Sequence, residues 1–198
     1  SRGLGDVYKR QAKTVLLPVD MQCAFDAPPW PRRWNTEVDS NGLRLLAGWR
    51  RFGLPIIHVR HDSVTPGSTL APGQPGNHFR NGFGPRDGEV LVSKSVNAAF
   101  IGTDLDLRLR RLGAERIVVF GIATDMCVST TVRVGANLGW KMTLVADACD
   151  CFDLPDGHDG TILAEQVHAV HVATLAHEFC KVTSTDELIS SLGAKEAT

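Results

Sequence analysis

The stretch Ile117-Val118-Val119-Phe120-Gly121-Ile122-Ala123-Thr124-Asp125-Met126-Cys127-Val128-Ser129-Thr130-Thr131 decides the fold. It opens as a β-branched apolar run, the pattern of a strand covered on both faces. It breaks at Gly121, passes a polar hinge at Thr124-Asp125 and enters a helix whose first turn carries Cys127. In a parallel sheet, ligands bind at the carboxyl ends of strands. A thiol in a first helical turn also sits at the positive end of the helix macrodipole, which favours thiolate and raises nucleophilicity. Cys127 is therefore a candidate active-site nucleophile. A buried structural cysteine is the competing reading.

Outward from this stretch, the same alternation repeats. Thr14-Val15-Leu16-Leu17-Pro18-Val19 reads as a first strand that delivers Asp20 at its carboxyl end. Val38, Gly42, Leu45, Leu46 and Trp49 recur at helical spacing, and Pro55 to Arg60 reads as a second strand. Glu89 to Val92 is a third strand, with Lys94 just beyond it. Leu105, Leu109 and Leu112 mark a helix that stops at Gly113. Met142 to Val145 is a fifth strand ending at Asp147, Leu163, Val167 and Val170 mark another helix, and Glu178 to Val182 is the last strand before a short helix from about Asp186. Strand–helix alternation without a repeat or a linker predicts a mostly parallel sheet of roughly six strands with helices on both faces. Right-handed crossovers then bring the ends of strands one, three and four to one edge.

Residues 62 to 89 interrupt the pattern with many Pro and Gly. Long loops of this kind usually carry function, and His78, Phe79, Asn81 and Phe83 suit a pocket wall or a subunit contact. A passive surface excursion is the alternative. Residues 1–11 read differently from the rest. Gly5-Asp6-Val7-Tyr8-Lys9-Arg10-Gln11 resembles a translated sequencing-library adaptor, so a non-native leader over 1–11 and one domain over 12–198 are expected.

The 198 residues suit a single domain with a full core. Lys and Arg number 21 against 22 Asp and Glu, for a net charge of -1, so no basic excess points to nucleic acid or an anionic membrane. No apolar run has the length of a membrane span. Five cysteines, an odd number without a CxxC spacing, favour a reducing cytoplasm over a disulfide framework. Cys149-x-Cys151 reads as packing, ahead of a redox pair or metal site, because CxC without companions is weak evidence. His168, His171 and His177 read as a mixed buried and surface face of one helix.

An acid, an ammonium and a thiol at three strand ends form a coherent nucleophilic set. Cys127 would attack a carbonyl, Asp20 would take the thiol proton and return it to a leaving nitrogen, and Lys94 would hold both anions. Taken singly, Asp20 also suits a helix cap and Lys94 a solvated strand end.

At these residues the chain resembles the isochorismatase-like cysteine hydrolase superfamily, which includes nicotinamidases, N-carbamoylsarcosine amidases, ureidoacrylate and biuret amidohydrolases, and streptothricin hydrolase. The matching motifs are Val19-Asp20-Met21-Gln22, Lys94-Ser95-Val96-Asn97-Ala98-Ala99-Phe100, Gly102-Thr103-Asp104-Leu105, Gly121-Ile122-Ala123-Thr124-Asp125-Met126-Cys127-Val128 and Asp147-Ala148, in an order covering residues 13 to 183. The resemblance implies a three-layer α/β/α sandwich and a triad of Asp20, Lys94 and Cys127. It also implies a cis peptide between Ile122 and Ala123, an oxyanion hole from the backbone N–H groups of Ala123 and Cys127, and a thioester intermediate. Metal-dependent nicotinamidases carry Asp-x-His after the second strand, whereas this chain has Arg60-His61-Asp62-Ser63. No metal and no cofactor are therefore expected, and His61 and His78 read as structural or solvated loop residues. Gln22, Phe25, Trp30, Asn97, Phe100 and Thr124 are candidate pocket residues, with Trp34 extending an aromatic wall.

The reading is a cytoplasmic, metal-independent amidohydrolase that cleaves a C–N bond of a small amide, ureido or lactam substrate and forms a homo-oligomer, a dimer or larger. Its alternatives are isochorismatase-type vinyl-ether hydrolysis and a catalytically silent member that uses a low-pKa Cys127 as a redox sensor.

Overall fold

A computed structural model of the chain describes residues 14–193. The leader reading of residues 1–11 lies outside them. Six strands form one parallel sheet: β1 (Thr14–Val19), β2 (Ile57–His61), β3 (Val90–Lys94), β4 (Arg116–Ile122), β5 (Lys141–Asp150) and, after a two-stranded hairpin of β6 (Leu154–Pro155) and β7 (Thr161–Ile162), β8 (Cys180–Thr183). The order across the sheet is β3-β2-β1-β4-β5-β8. The chain thus winds outward from β1 in one direction, returns, and winds outward from β4 in the other. The central pair β1 and β4 is a topological switch point, where such sheets leave a crevice at their carboxyl ends.

Helix α1 (Val38–Arg51) follows β1, α2 (Leu105–Arg111) leads into β4, α3 (Ser129–Asn137) joins β4 to β5, α4 (Ala164–Glu178) leads to β8 and α5 (Thr185–Gly193) closes the described chain. Helix α5 packs on α1, and α4 packs on α3. Right-handed crossovers put these two pairs on opposite faces, giving a three-layer α/β/α sandwich. Helix α1 shows how the sequence builds it. Its buried residues Val38, Gly42, Leu45, Leu46 and Trp49 fall on the one stripe that the spacing predicts. Each large apolar side chain on that stripe contributes about 1.5–3 kcal/mol by leaving water. Gly42 lets the helix press onto the rings of Phe83 and Phe120, which a Cβ there would meet at 2.7 and 2.8 Å.

Three local expectations are corrected. Strand β5 does not end at Asp147 but runs to Asp150, after a register shift against β4 between Val119 and Gly121. Side-chain amides make the extension tenable: Asn35 Nδ2 donates to the carbonyls of Asp147 and Cys149, and Asn41 Nδ2 to that of Asp147. Helix α4 continues to Glu178, so the last strand begins only at Cys180. The 62–89 segment is not the passive surface excursion offered as its alternative. Phe83 is fully buried, the two N–H bonds of Asn77 Nδ2 are shared among His61 O, Asp62 Oδ1 and Leu70 O, and Arg80 N donates to Met21 O.

Candidate active site

Four strand ends converge at the switch point. Asp20 follows β1, with its N–H bonded to the Val59 carbonyl of β2. It adopts φ 53°, the one left-handed non-glycine backbone among the described residues. Aspartate tolerates this region better than most residues. Lys94 is the last residue of β3 and pairs in register with His61, the last residue of β2. Cys127 lies in a π-helical turn, Thr124–Val128, that separates β4 from α3. Gly121 makes the junction possible. Its φ is 142°, and a Cβ would stand 2.0 Å from the Val19 carbonyl oxygen on β1. The peptide between Ile122 and Ala123 is cis, and the Ala123 carbonyl accepts from the N–H groups of Met126 and Val128.

Asp20 and Lys94 are buried to 0% and 2% exposure, and Cys127 to 8%. The ammonium is the hub. Lys94 Nζ donates to Asp20 Oδ2 at 2.6 Å, to Cys127 Sγ at 3.2 Å and to His61 Nδ1 at 2.8 Å. An ammonium has three N–H bonds and no acceptor, so these three partners satisfy it completely. Asp20 Oδ1, by contrast, is buried and meets no hydrogen-bond partner among the described residues.

Electrostatics correct one expectation. The helix start predicts a low thiol pKa, but burial pushes the Cys127 thiol up, and the Asp20 carboxylate pushes it further. The Lys94 charge works in the opposite direction without overcoming them. Loss of water around sulfur is the largest cause, and the helix begins only at Ser129, beyond Cys127. The thiol is protonated at rest and needs a base within reach.

His61 is the residue that sequence reasoning missed. It does not lie in the loop but ends β2, with Nδ1 3.8 Å from Asp20 Oδ2 and 3.9 Å from Cys127 Sγ. Burial and the Lys94 charge lower its pKa, so the ring is neutral near pH 7 and Nδ1 accepts from Lys94. Its signal was one of register: parallel pairing of β2 with β3 sets it beside Lys94. The other loop histidine, His78, contributes its backbone, accepting from Cys23 N–H. Ligating atoms of Asp20, His61 and Cys127 lie within 4.8 Å of one another, a grouping of metal-ligand types. The Lys94 ammonium already bonds to all three, so a metal ion there would meet a positive charge in place. The donor set does not fit a metal while Lys94 is charged.

The candidate pocket residues divide. Asn97 is exposed, with Oδ1 3.7 Å from Cys127 Sγ. Gln22 is fully buried and acts as a clasp. Its amide donates to His61 O and Asn77 O and accepts from His61 N–H. Thr124 is likewise buried, its hydroxyl donating to Asp150 O and bonded to His168 Nδ1. Phe100 packs toward Gly135 of α3, within 3.0 Å of where a Cβ would stand. Phe25 and Trp30 form an aromatic cluster with Phe152, centroids 4.8 to 5.8 Å apart, and both line an open depression of about 390 Å³ with Arg32 and Arg33. Trp34 instead meets His168 in a tilted ring contact, centroids 5.1 Å apart. Cys149 and Cys151 are buried and donate separately to Val145 O and Ala164 O.

The isochorismatase domain family model matches residues 14–187. A crystal structure of a putative hydrolase of the isochorismatase family from Chromobacterium violaceum is 43% identical, covers 92% of this chain and 95% of its own, and superposes with a TM-score of 0.88. A cysteine hydrolase from Pseudomonas syringae is 27% identical, with 93% and 94% coverage and a TM-score of 0.85. An uncharacterised isochorismatase family protein of Bacillus subtilis is 36% identical over 180 residues, 91% of this chain and 96% of that protein. The chain belongs to the isochorismatase family of hydrolases.

Proposed function

We propose that the chain is a cysteine-dependent amidohydrolase that cleaves the C–N bond of a small amide, ureido or lactam substrate through a thioester. One observation carries this reading: a buried Lys94 ammonium that bonds both Asp20 Oδ2 and Cys127 Sγ. It supports a reading in which Asp20 is the base and Lys94 the counter-charge for a thiol that burial pushes up.

Sulfur attacks the substrate carbonyl and forms a C–S bond while the thiol proton passes to Asp20, whose Oδ1 has no other partner among the described residues. The oxyanion meets the backbone N–H groups of Ala123 and Cys127. Collapse breaks the C–N bond as Asp20 returns the proton to the leaving nitrogen. Water then adds to the thioester and gives its proton to Asp20. The C–S bond breaks and the proton returns to sulfur. The sum is amide plus water giving acid plus ammonia or an amine. Lys94 keeps both anions in place throughout.

Vinyl-ether hydrolysis would leave the bridged thiol without a role. Redox sensing needs an accessible, low-pKa thiolate, and Cys127 is buried with its thiol pushed up. A cytoplasmic setting is in keeping with five free cysteines. A small-molecule substrate and a homo-oligomer complete the reading. Among the described residues, no helix is long and apolar enough to cross a membrane.

The test is ammonia or amine release from an amide and ureide panel. Cys127→Ala is expected to abolish release and keep the wild-type circular dichroism spectrum. Asp20→Asn is expected to slow release by about 10²–10⁴, the scale of acid–base catalysis. Near-wild-type release from Cys127→Ala would refute the mechanism, and ether turnover that survives the substitution would favour the vinyl-ether reading.

A further inference from the structure

We propose that His61 is a positioning residue of the site, acting as the obligatory third acceptor that aims the Lys94 ammonium at Asp20 and Cys127. The inference rests on geometry. Lys94 has three N–H bonds in a buried site, and its three acceptors are Asp20 Oδ2, Cys127 Sγ and His61 Nδ1. Two are reacting groups of the proposed mechanism. His61 is the only one of the three free to act purely as an anchor. Without it one N–H is orphaned, which is costly for a charged buried donor, and the ammonium turns toward water or another carbonyl. Either outcome weakens its hold on sulfur.

The backbone fixes this role as much as the ring does. His61 is registered to Lys94 across β2 and β3, and the Gln22 amide clasps His61 on both its N–H and its carbonyl. Acceptance at Nδ1 places the ring hydrogen on Nε2. The charged and titratable groups that face the ring are Lys94 from β3, Asp20 after β1, Cys127 from the nucleophile turn and the adjacent Asp62. Lys94 disfavours an imidazolium, whereas the two carboxylates favour one.

The inference builds on the reading of Cys127 as nucleophile, so its test avoids substrate turnover. The measurement is the rate of Cys127 alkylation by iodoacetamide at a fixed pH, followed on the full chain by digestion and peptide mass so that Cys127 is read apart from the other four cysteines. His61→Leu removes the acceptor and is expected to slow that rate about tenfold, as a thiolate held less firmly by roughly one pKa unit would. In His61→Asn the amide oxygen stands where Nδ1 stood, and the rate is expected to return toward wild type. In His61→Gln the oxygen reaches the Nε2 position, and no such return is expected. A rate unchanged or raised in His61→Leu overturns the proposal. Should that variant not fold, equal rates for His61→Asn and His61→Gln overturn it. If Cys127→Ala proves fully active, the amidohydrolase reading fails, yet the alkylation rate still decides the role of His61.

Discussion

A single missing atom at Gly121 admits the turn that carries Cys127. A Cβ would stand 2.0 Å from the Val19 carbonyl oxygen, at a φ of 142° that L side chains rarely adopt. Gly121→Ala is therefore expected to cost at least about 3 kcal/mol by combined overpacking and backbone strain, read as a fall in the urea midpoint. Activity should fall with it, because Val19 precedes Asp20. At Lys94 the argument is electrostatic. The ammonium bonds every potential metal ligand of the site, so turnover is expected to survive dialysis against a chelator. A loss restored by added metal would contradict that. Asp20, Lys94 and Cys127 were legible as residues because each follows or ends an apolar run. Their ionisation was not. The thiol shift depends on how much water the fold removes from sulfur, which no local spacing reports.

Among the elements, β2 shows where sequence reading stops. Its apolar run is plain and predicts an end at Arg60, but the strand runs one residue further, to His61 at the candidate site. Whether His61 belongs to a strand end or to a loop is settled by pairing with β3, a partner about thirty residues away in sequence. The same holds for Gln22, which sits beside a site residue and reads as pocket lining. It is instead the tie among the ends of β1 and β2 and the 62–89 segment. Gln22→Ala strips three hydrogen bonds, one buried and two partly so, from their backbone partners. It is expected to lower stability by about 1–3 kcal/mol in urea titration. It should also reduce turnover, because His61 loses its backbone clasp.

For the molecule as a whole, acid is the stress to examine. Glu89, bound to Arg50, His58 and the Arg86 N–H, is held at a pKa of about 2 against an ordinary 4.5 even though its burial acts in the opposite sense. Burial lowers the pKa of His58 from 6.5. A folded pKa below the unfolded one gives stability that is full above the unfolded value and fades as pH falls toward the folded one. His58 therefore weakens the fold as pH drops below 6.5, and Glu89 does so from 4.5 toward 2. Burial pushes Asp125 and Asp150 up, so they act in the opposite sense and the Glu89 contribution is best read by difference. Urea midpoints of Glu89→Gln are expected to fall less steeply than wild type below pH 4.5. The architecture itself was open to reading, because strand–helix alternation and handed crossovers dictate it. The 62–89 segment was not, because its anchors Asn77, Arg80 and Phe83 bind partners from distant elements. Finally, a lysine whose three N–H bonds all end inside the protein is closed to chemical labelling. Amine-directed reagents reach exposed Lys141 and Lys181 in the folded chain and pass Lys94 by, so label at Lys94 records the moments when the site comes apart.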